Sequence, residues 1–240
     1  MLKNTTKTIY IKYSPEKNET TFSGIKFVDF IESTPTPVEN MLLLEHINLG
    51  SKYFHCFELL EGADDIANLE SQNIHGYGNF CFVDYKESAS VNRLSKEDIA
   101  ELLYLSHMFE PLKSPFFDAL QNSYAYLSHD DGWYCKLFCK GWDIPNSILI
   151  NKLLNTVQQA FCSRTTSLPD GLSERITELS VKGLVVQIDI LKQTKKAARA
   201  DDQATIKLYD VGEIENMDNL FNNLEDIMSG KCRHRYTICS

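Results

Sequence analysis

Residues 116–142, FFDALQNSYAYLSHDDGWYCKLFCKGW, hold both tryptophans of the chain, six other aromatics, Cys135 and Cys139. Two alternating, aromatic-rich runs flank Asp131-Gly132. That dipeptide suits a two-residue hairpin turn, because glycine takes a positive φ without a Cβ clash. A two-residue loop there puts Tyr124, Tyr126 and Ser128 on one face with Trp133, Cys135, Leu137 and Cys139. Ala125, Leu127, His129, Tyr134, Lys136 and Phe138 take the other, since strand side chains alternate. Both faces are mainly apolar, so the hairpin is expected to be central and covered on both sides.

The turn also carries the only crowd of chemically capable side chains. An imidazole beside carboxylates can act as a general base with an orienting acid. His129, Asp130 and Asp131, with His107 opposite, are therefore the catalytic candidates. Against them, neighbours in a turn seldom face one another, and Asp-Asp-Gly also serves the turn's backbone. Tyr126, Trp133 and Trp142 are the binding candidates, as aromatics of the kind that anchor interfaces.

Cys135 and Cys139 do not read as a metal pair. Four residues of strand separate their Cα atoms by about 13 Å, whereas two thiolates on one zinc lie about 4 Å apart. Cys232, His234 and Cys239 match no zinc spacing. Gly76-Tyr-Gly78 precedes a strand, not a helix, and so lacks the setting of a phosphate-binding loop; His75 beside it reads as exposed. No nucleophile elbow, HExxH, Walker A or paired CxxC occurs. The expectation is no metal and no cofactor.

The net charge of −9 opposes a phosphate backbone unless positive groups cluster. Lys192, Lys195, Lys196 and Arg199 do cluster, with Arg233 and Arg235 further on, but without the aromatic support that nucleic-acid binding needs. They read as a solvated loop between strands. No stretch approaches the roughly 18 apolar residues of a membrane span, and MLKNTTKTIYIKY lacks the apolar core of a secretory signal. Seven irregularly spaced cysteines suit reduced thiols. A cytoplasmic location is expected.

Residues 1–142 contain 22 of the 26 Phe, Tyr and Trp, with 12 basic and 20 acidic residues; residues 143–240 have 12 and 13. The shift suggests an acidic, aromatic, strand-rich subdomain, 1–142, and a helix-rich α+β one, 143–240. In the first, Thr8–Tyr13, Gly24–Phe30, Met41–Ile47, Tyr53–Leu59 and Asn79–Tyr85 read as strands, and Ala63–Ser71 as a helix. Ser95 with Asp98 resembles a capping box. It opens a helix whose apolar face is Ile99, Leu102, Leu103 and Phe109. In the second, helices begin at Asn146 or Ser147, at Asp170 and after Gly212; Leu184–Ile190, Thr205–Tyr209 and Tyr236–Cys239 read as strands. The class is α+β, with a largely antiparallel sheet in the first part and packed helices.

The stretch Leu102–Lys140, with LLYLSHMFEPLKSPFF and YAYLSHDDGWYCKLF, resembles soluble proteins of Gram-positive bacteria for which no activity is established. The resemblance implies a bacterial cytosolic chain with a hairpin after a helix, and assigns no catalytic residue.

These readings point first to a non-enzymatic module that binds a protein, basic for preference, or a second copy of itself. The alternative is a small hydrolase working at His129, Asp130 and Asp131.

Overall fold

The computed structural model describes residues 2–45, 52–72, 79–129, 132–163, 166–193, 202–214 and 216–239. In chain order these form β1 (Leu2–Ser14), β2 (Glu19–Ser23), α1 (Phe27–Ser33), β3 (Asn40–Leu43), β4 (Lys52–Phe54), β5 (Phe57–Glu61), α2 (Ala63–Ser71), β6 (Phe80–Asp84), α3 (Lys96–Ser106), β7 (Tyr124–His129), β8 (Tyr134–Cys139), α4 (Asp143–Phe161), α5 (Leu172–Ser180), β9 (Leu184–Gln193), β10 (Gln203–Asp210), α6 (Met217–Asn222), α7 (Leu224–Met228) and β11 (Cys232–Cys239). The chain is α+β. Its strands are not concentrated in the first part: β9, β10 and β11 run for 10, 8 and 8 residues. The residues group into two compact units, one of Met1–Pro15, Thr21–Ile25 and Trp142–Ser240, the other of Glu16–Thr20 and Lys26–Gly141.

In the unit of residues 26–141 the strand order is β8-β7-β6-β3-β5-β4, with antiparallel pairing. The Asp29 carboxylate accepts the Lys26 N–H at 2.9 Å and closes the first turn of α1. Phe27 and Phe30, three residues apart on the helix, then share one face. They meet Phe80, Phe82, Tyr124 and Tyr126, with Phe27 edge-on to Phe80 at 5.1 Å and Phe30 edge-on to Tyr124 at 5.4 Å. Such edge-to-face contacts place ring hydrogens against π clouds. The alternate residues of β6 and β7, Cys81, Val83, Ala125 and Leu127, together with Phe138 of β8, pack with Leu102 and Leu105 of α3. The hairpin is thus covered on both faces, as its composition requires.

Several expectations are corrected here. Gly24–Phe30 is no strand; it turns into α1 at Phe27. Tyr53–Leu59 is two strands, β4 and β5, turning at His55, whose φ is 54°. The helix capped by Ser95 ends at Ser106, so Phe109 lies beyond it. Ser95 itself behaves as read: its Oγ accepts the Asp98 N–H at 3.0 Å and Asp98 accepts the Ser95 N–H at 2.9 Å.

In the other unit the order is β11-β10-β9-β1, with β2 beside β1. Ile9 pairs with Val186, and Ile206 with Ile188. These buried residues line one face, and α4 and α5 pack on β9 and β1. The opposite face carries Thr6, Gln187, Asp189 and Lys207. Helix α4 starts at Asp143, ahead of Asn146. Pro145 is tolerated there because first-turn N–H groups lack helical partners anyway. The stretch after Gly212 forms two short helices, capped by the Asn216 side chain at its start and broken at Asn223. Gly183 has φ 110°, and a Cβ there would stand 1.9 Å from the Gly212 carbonyl oxygen. The Gly183 carbonyl accepts N–H groups from Val211 and Gly212, so two backbones meet with no room for a side chain.

Candidate functional site

The hairpin register pairs Tyr126 with Leu137, Ser128 with Cys135 and His129 with Tyr134. The faces match those read from the sequence, but the last ladder pair is His129–Tyr134 and the Trp133 N–H bonds to the His129 carbonyl. Gly132 keeps its positive φ of 81°; Asp130 and Asp131 lie outside the described residues. His129 lies flat on the Tyr134 ring, with centroids 4.3 Å apart and planes 8° apart. His107 is exposed at the C-terminal end of α3 and meets Phe109, ring to ring, at 6.2 Å. Its charge tempers the upward push that partial burial gives the Glu45 carboxyl.

The aromatic candidates separate. Tyr126 is 1% exposed, enclosed by Phe27, Phe30, Phe80 and Phe82. Trp133 is 53% exposed at the end of the hairpin. Trp142 belongs to the other unit, its ring tilted by 40° against Tyr13 at 5.2 Å, and it donates its indole N–H to the Thr177 hydroxyl at 2.8 Å.

Strand β8 is extended through both of its cysteines, which places their Cα atoms about 13 Å apart. Both are buried, and burial pushes the Cys139 thiol up to about 12. Cys232 and Cys239 are exposed at opposite ends of β11, separated by roughly 23 Å of strand. Of the basic cluster, Lys195, Lys196 and Arg199 lie outside the described residues, as do His75, Gly76 and Gly78. Among the described residues, no group of three His, Cys, Asp or Glu is placed to hold a metal, and no helix is long and apolar enough to cross a membrane.

One concavity in the unit of residues 26–141 encloses about 290 Å³, lined by Lys17, Asn18, Glu19, Glu110, Phe116 and Phe138 among others. Three of its charged residues, Lys17, Glu19 and Glu110, are engaged in ion pairs. Glu110 accepts from Lys136 at 2.9 Å and Lys17 at 3.3 Å, and Lys136 also lies 3.7 Å from Glu19. These lysines hold the Glu110 carboxyl below its usual range.

A different surface forms just beyond α3. The Glu101 carboxylate, nearly buried, accepts the N–H groups of Leu112 and Lys113 at 2.6 and 3.3 Å. It ties the following loop back to the helix. Met108 reverses the chain with φ 63°, and Phe109 returns to lie against Tyr104 at 4.8 Å. The result presents Leu103, Phe109 and Leu112 outward, 41%, 51% and 66% exposed. Sequence periodicity had turned Leu103 and Phe109 inward. Only the reversal at Met108, a residue with no preference for positive φ, sends Phe109 out. Comparison with protein-family models, curated proteins and solved structures found no match, so the likeness of Leu102–Lys140 to proteins of Gram-positive bacteria has no support there.

Proposed function

We propose that the chain is a non-enzymatic module that binds another protein through the surface at the end of α3. The observation that carries this is the pinned loop: the Glu101 carboxylate fixes Leu112 beside a helix that exposes Leu103, while Phe109 stands on Tyr104. Large apolar side chains gathered on a rigid support mark interaction sites on soluble proteins, and a preorganised anchor loses little entropy on binding. The acidic balance of the chain favours a basic partner.

The test is affinity capture with the immobilised chain at physiological salt, with light scattering of the isolated chain alongside. A partner or second copy retained by the wild type, and bound at least about thirtyfold more weakly by the double variant Phe109→Asp, Leu112→Asp, is expected for an anchor pair. A strict monomer that retains nothing, or retention indifferent to both substitutions, overturns the reading.

A further inference from the structure

Strand β11 ends the strand order of its unit, and among the described residues nothing pairs with its outer side. It is eight residues long. A row of unpaired backbone N–H and C=O groups is a template for another strand. Arginines and a bulge are common protection for such an edge, and β11 has both: its register with β10 shifts between Leu208 and Tyr209, next to Arg233. The pattern of charge across the sheet argues for more than protection.

On the polar face, the Thr6 hydroxyl donates to Asp189 at 2.8 Å, and Asp189 holds Lys207 at 2.7 Å. Lys207 stands directly opposite Arg235. Like charges directly opposite are unfavourable. Lys207 is relieved by Asp189, and Arg233 lies 3.8 Å from Asp210. Arg235 has no carboxylate at ion-pair distance among the described residues. Among the described residues, the cross-strand row therefore ends on an exposed guanidinium with no carboxylate beside it, next to main-chain groups that no described strand pairs. On the other face, His234, Tyr236 and Ile238 grade from half-buried to buried, continuing the apolar side of β10.

We infer that β11 receives an extended segment of a partner protein with an acidic residue opposite Arg235 and apolar residues at the flanking positions. Such a strand continues both faces of the sheet, adding a carboxylate where the charge row lacks one and apolar side chains beside His234 and Tyr236. A second copy fits less well. Face-matched antiparallel self-pairing sets Arg235 against Arg233, Arg235, Thr237 or Cys239, and none of these supplies the missing carboxylate. This surface is independent of the one at Phe109.

The test uses the full chain and a nine-residue synthetic peptide alternating valine and glutamate, read by fluorescence anisotropy and by hydrogen exchange of the β11 amides. Saturable binding that weakens with salt, with slowed exchange along β11, is expected. Arg235→Glu is expected to weaken binding at least tenfold, and a peptide with lysine in place of glutamate to regain affinity for that variant. Should the Glu variant fail to fold, Arg235→Gln reads the same loss. Absence of binding, binding indifferent to residue 235, or exchange slowed only by concentration-dependent self-pairing of β11 overturns the inference. Each of these leaves the Phe109 surface untouched.

Discussion

Asp84 ends β6 as a buried carboxyl, 3% exposed, and its Oδ1 accepts the N–H groups of Ser123 and Tyr124 at 2.9 and 2.6 Å. Desolvation outweighs those two bonds and the pull of Lys86, and raises its pKa from 3.8 to about 6. A carboxyl whose pKa is raised on folding binds its proton more tightly in the native state. Its contribution is then full below pH 4 and is lost as the pH rises through about 6. The shift corresponds to about 3 kcal/mol at neutral pH. Asp84→Asn keeps the Oδ1 acceptor and removes the titration. Between pH 4 and pH 7.5 the stability of the variant relative to wild type is expected to rise by about 2–3 kcal/mol, most of the full shift. In urea titrations this appears as a relative midpoint shift of roughly 1 M with equal slopes. Taking the difference between the two proteins at each pH cancels the other titrating groups. A difference that is flat across this range, or that falls as pH rises, refutes the claim that burial dominates at Asp84.

Three further outcomes are expected. Gly183→Ala should destabilise by at least about 2 kcal/mol, from a strained positive φ and a clash with the Gly212 carbonyl; an unchanged thermal midpoint counts against that close approach. Ser95→Ala should cost about 1 kcal/mol through loss of the cap at Asp98, read by urea unfolding, while Ser95→Thr should restore most of it. In native protein, Cys56, Cys162, Cys232 and Cys239 should react with a thiol reagent within minutes, and Cys81, Cys135 and Cys139 only on unfolding; rapid native labelling of Cys139 contradicts its burial.

What could be read from the residues was local. The hairpin faces followed from alternation around Gly132, and the Ser95 box from two residues three apart. What failed depended on distant or weakly encoded partners. Gly24–Phe30 alternates like a strand, yet the Asp29 carboxylate closes a helical turn that brings Phe27 and Phe30 onto a waiting aromatic layer. Strand β2, ETTFS, is short and polar, and gains its strand character only from its neighbours in the sheet. The surface at Phe109 depends on a left-handed methionine and on Glu101 reaching eleven positions ahead, neither of which has a sequence signature. The open charge at Arg235 appears only once the β9–β10–β11 register is known.

The pairing of β1 with β9 sets a timetable for synthesis. Thr6 and its partner Asp189 are 183 positions apart, so at usual ribosomal speeds the first strand waits roughly ten to forty seconds for the segment that will pair with it. Meanwhile residues 26–141 emerge as an almost uninterrupted unit and can condense ahead of it. Ile9 and Ile11, sealed in the finished molecule, spend that interval as naked nascent chain, within reach of any chaperone stationed at the exit tunnel.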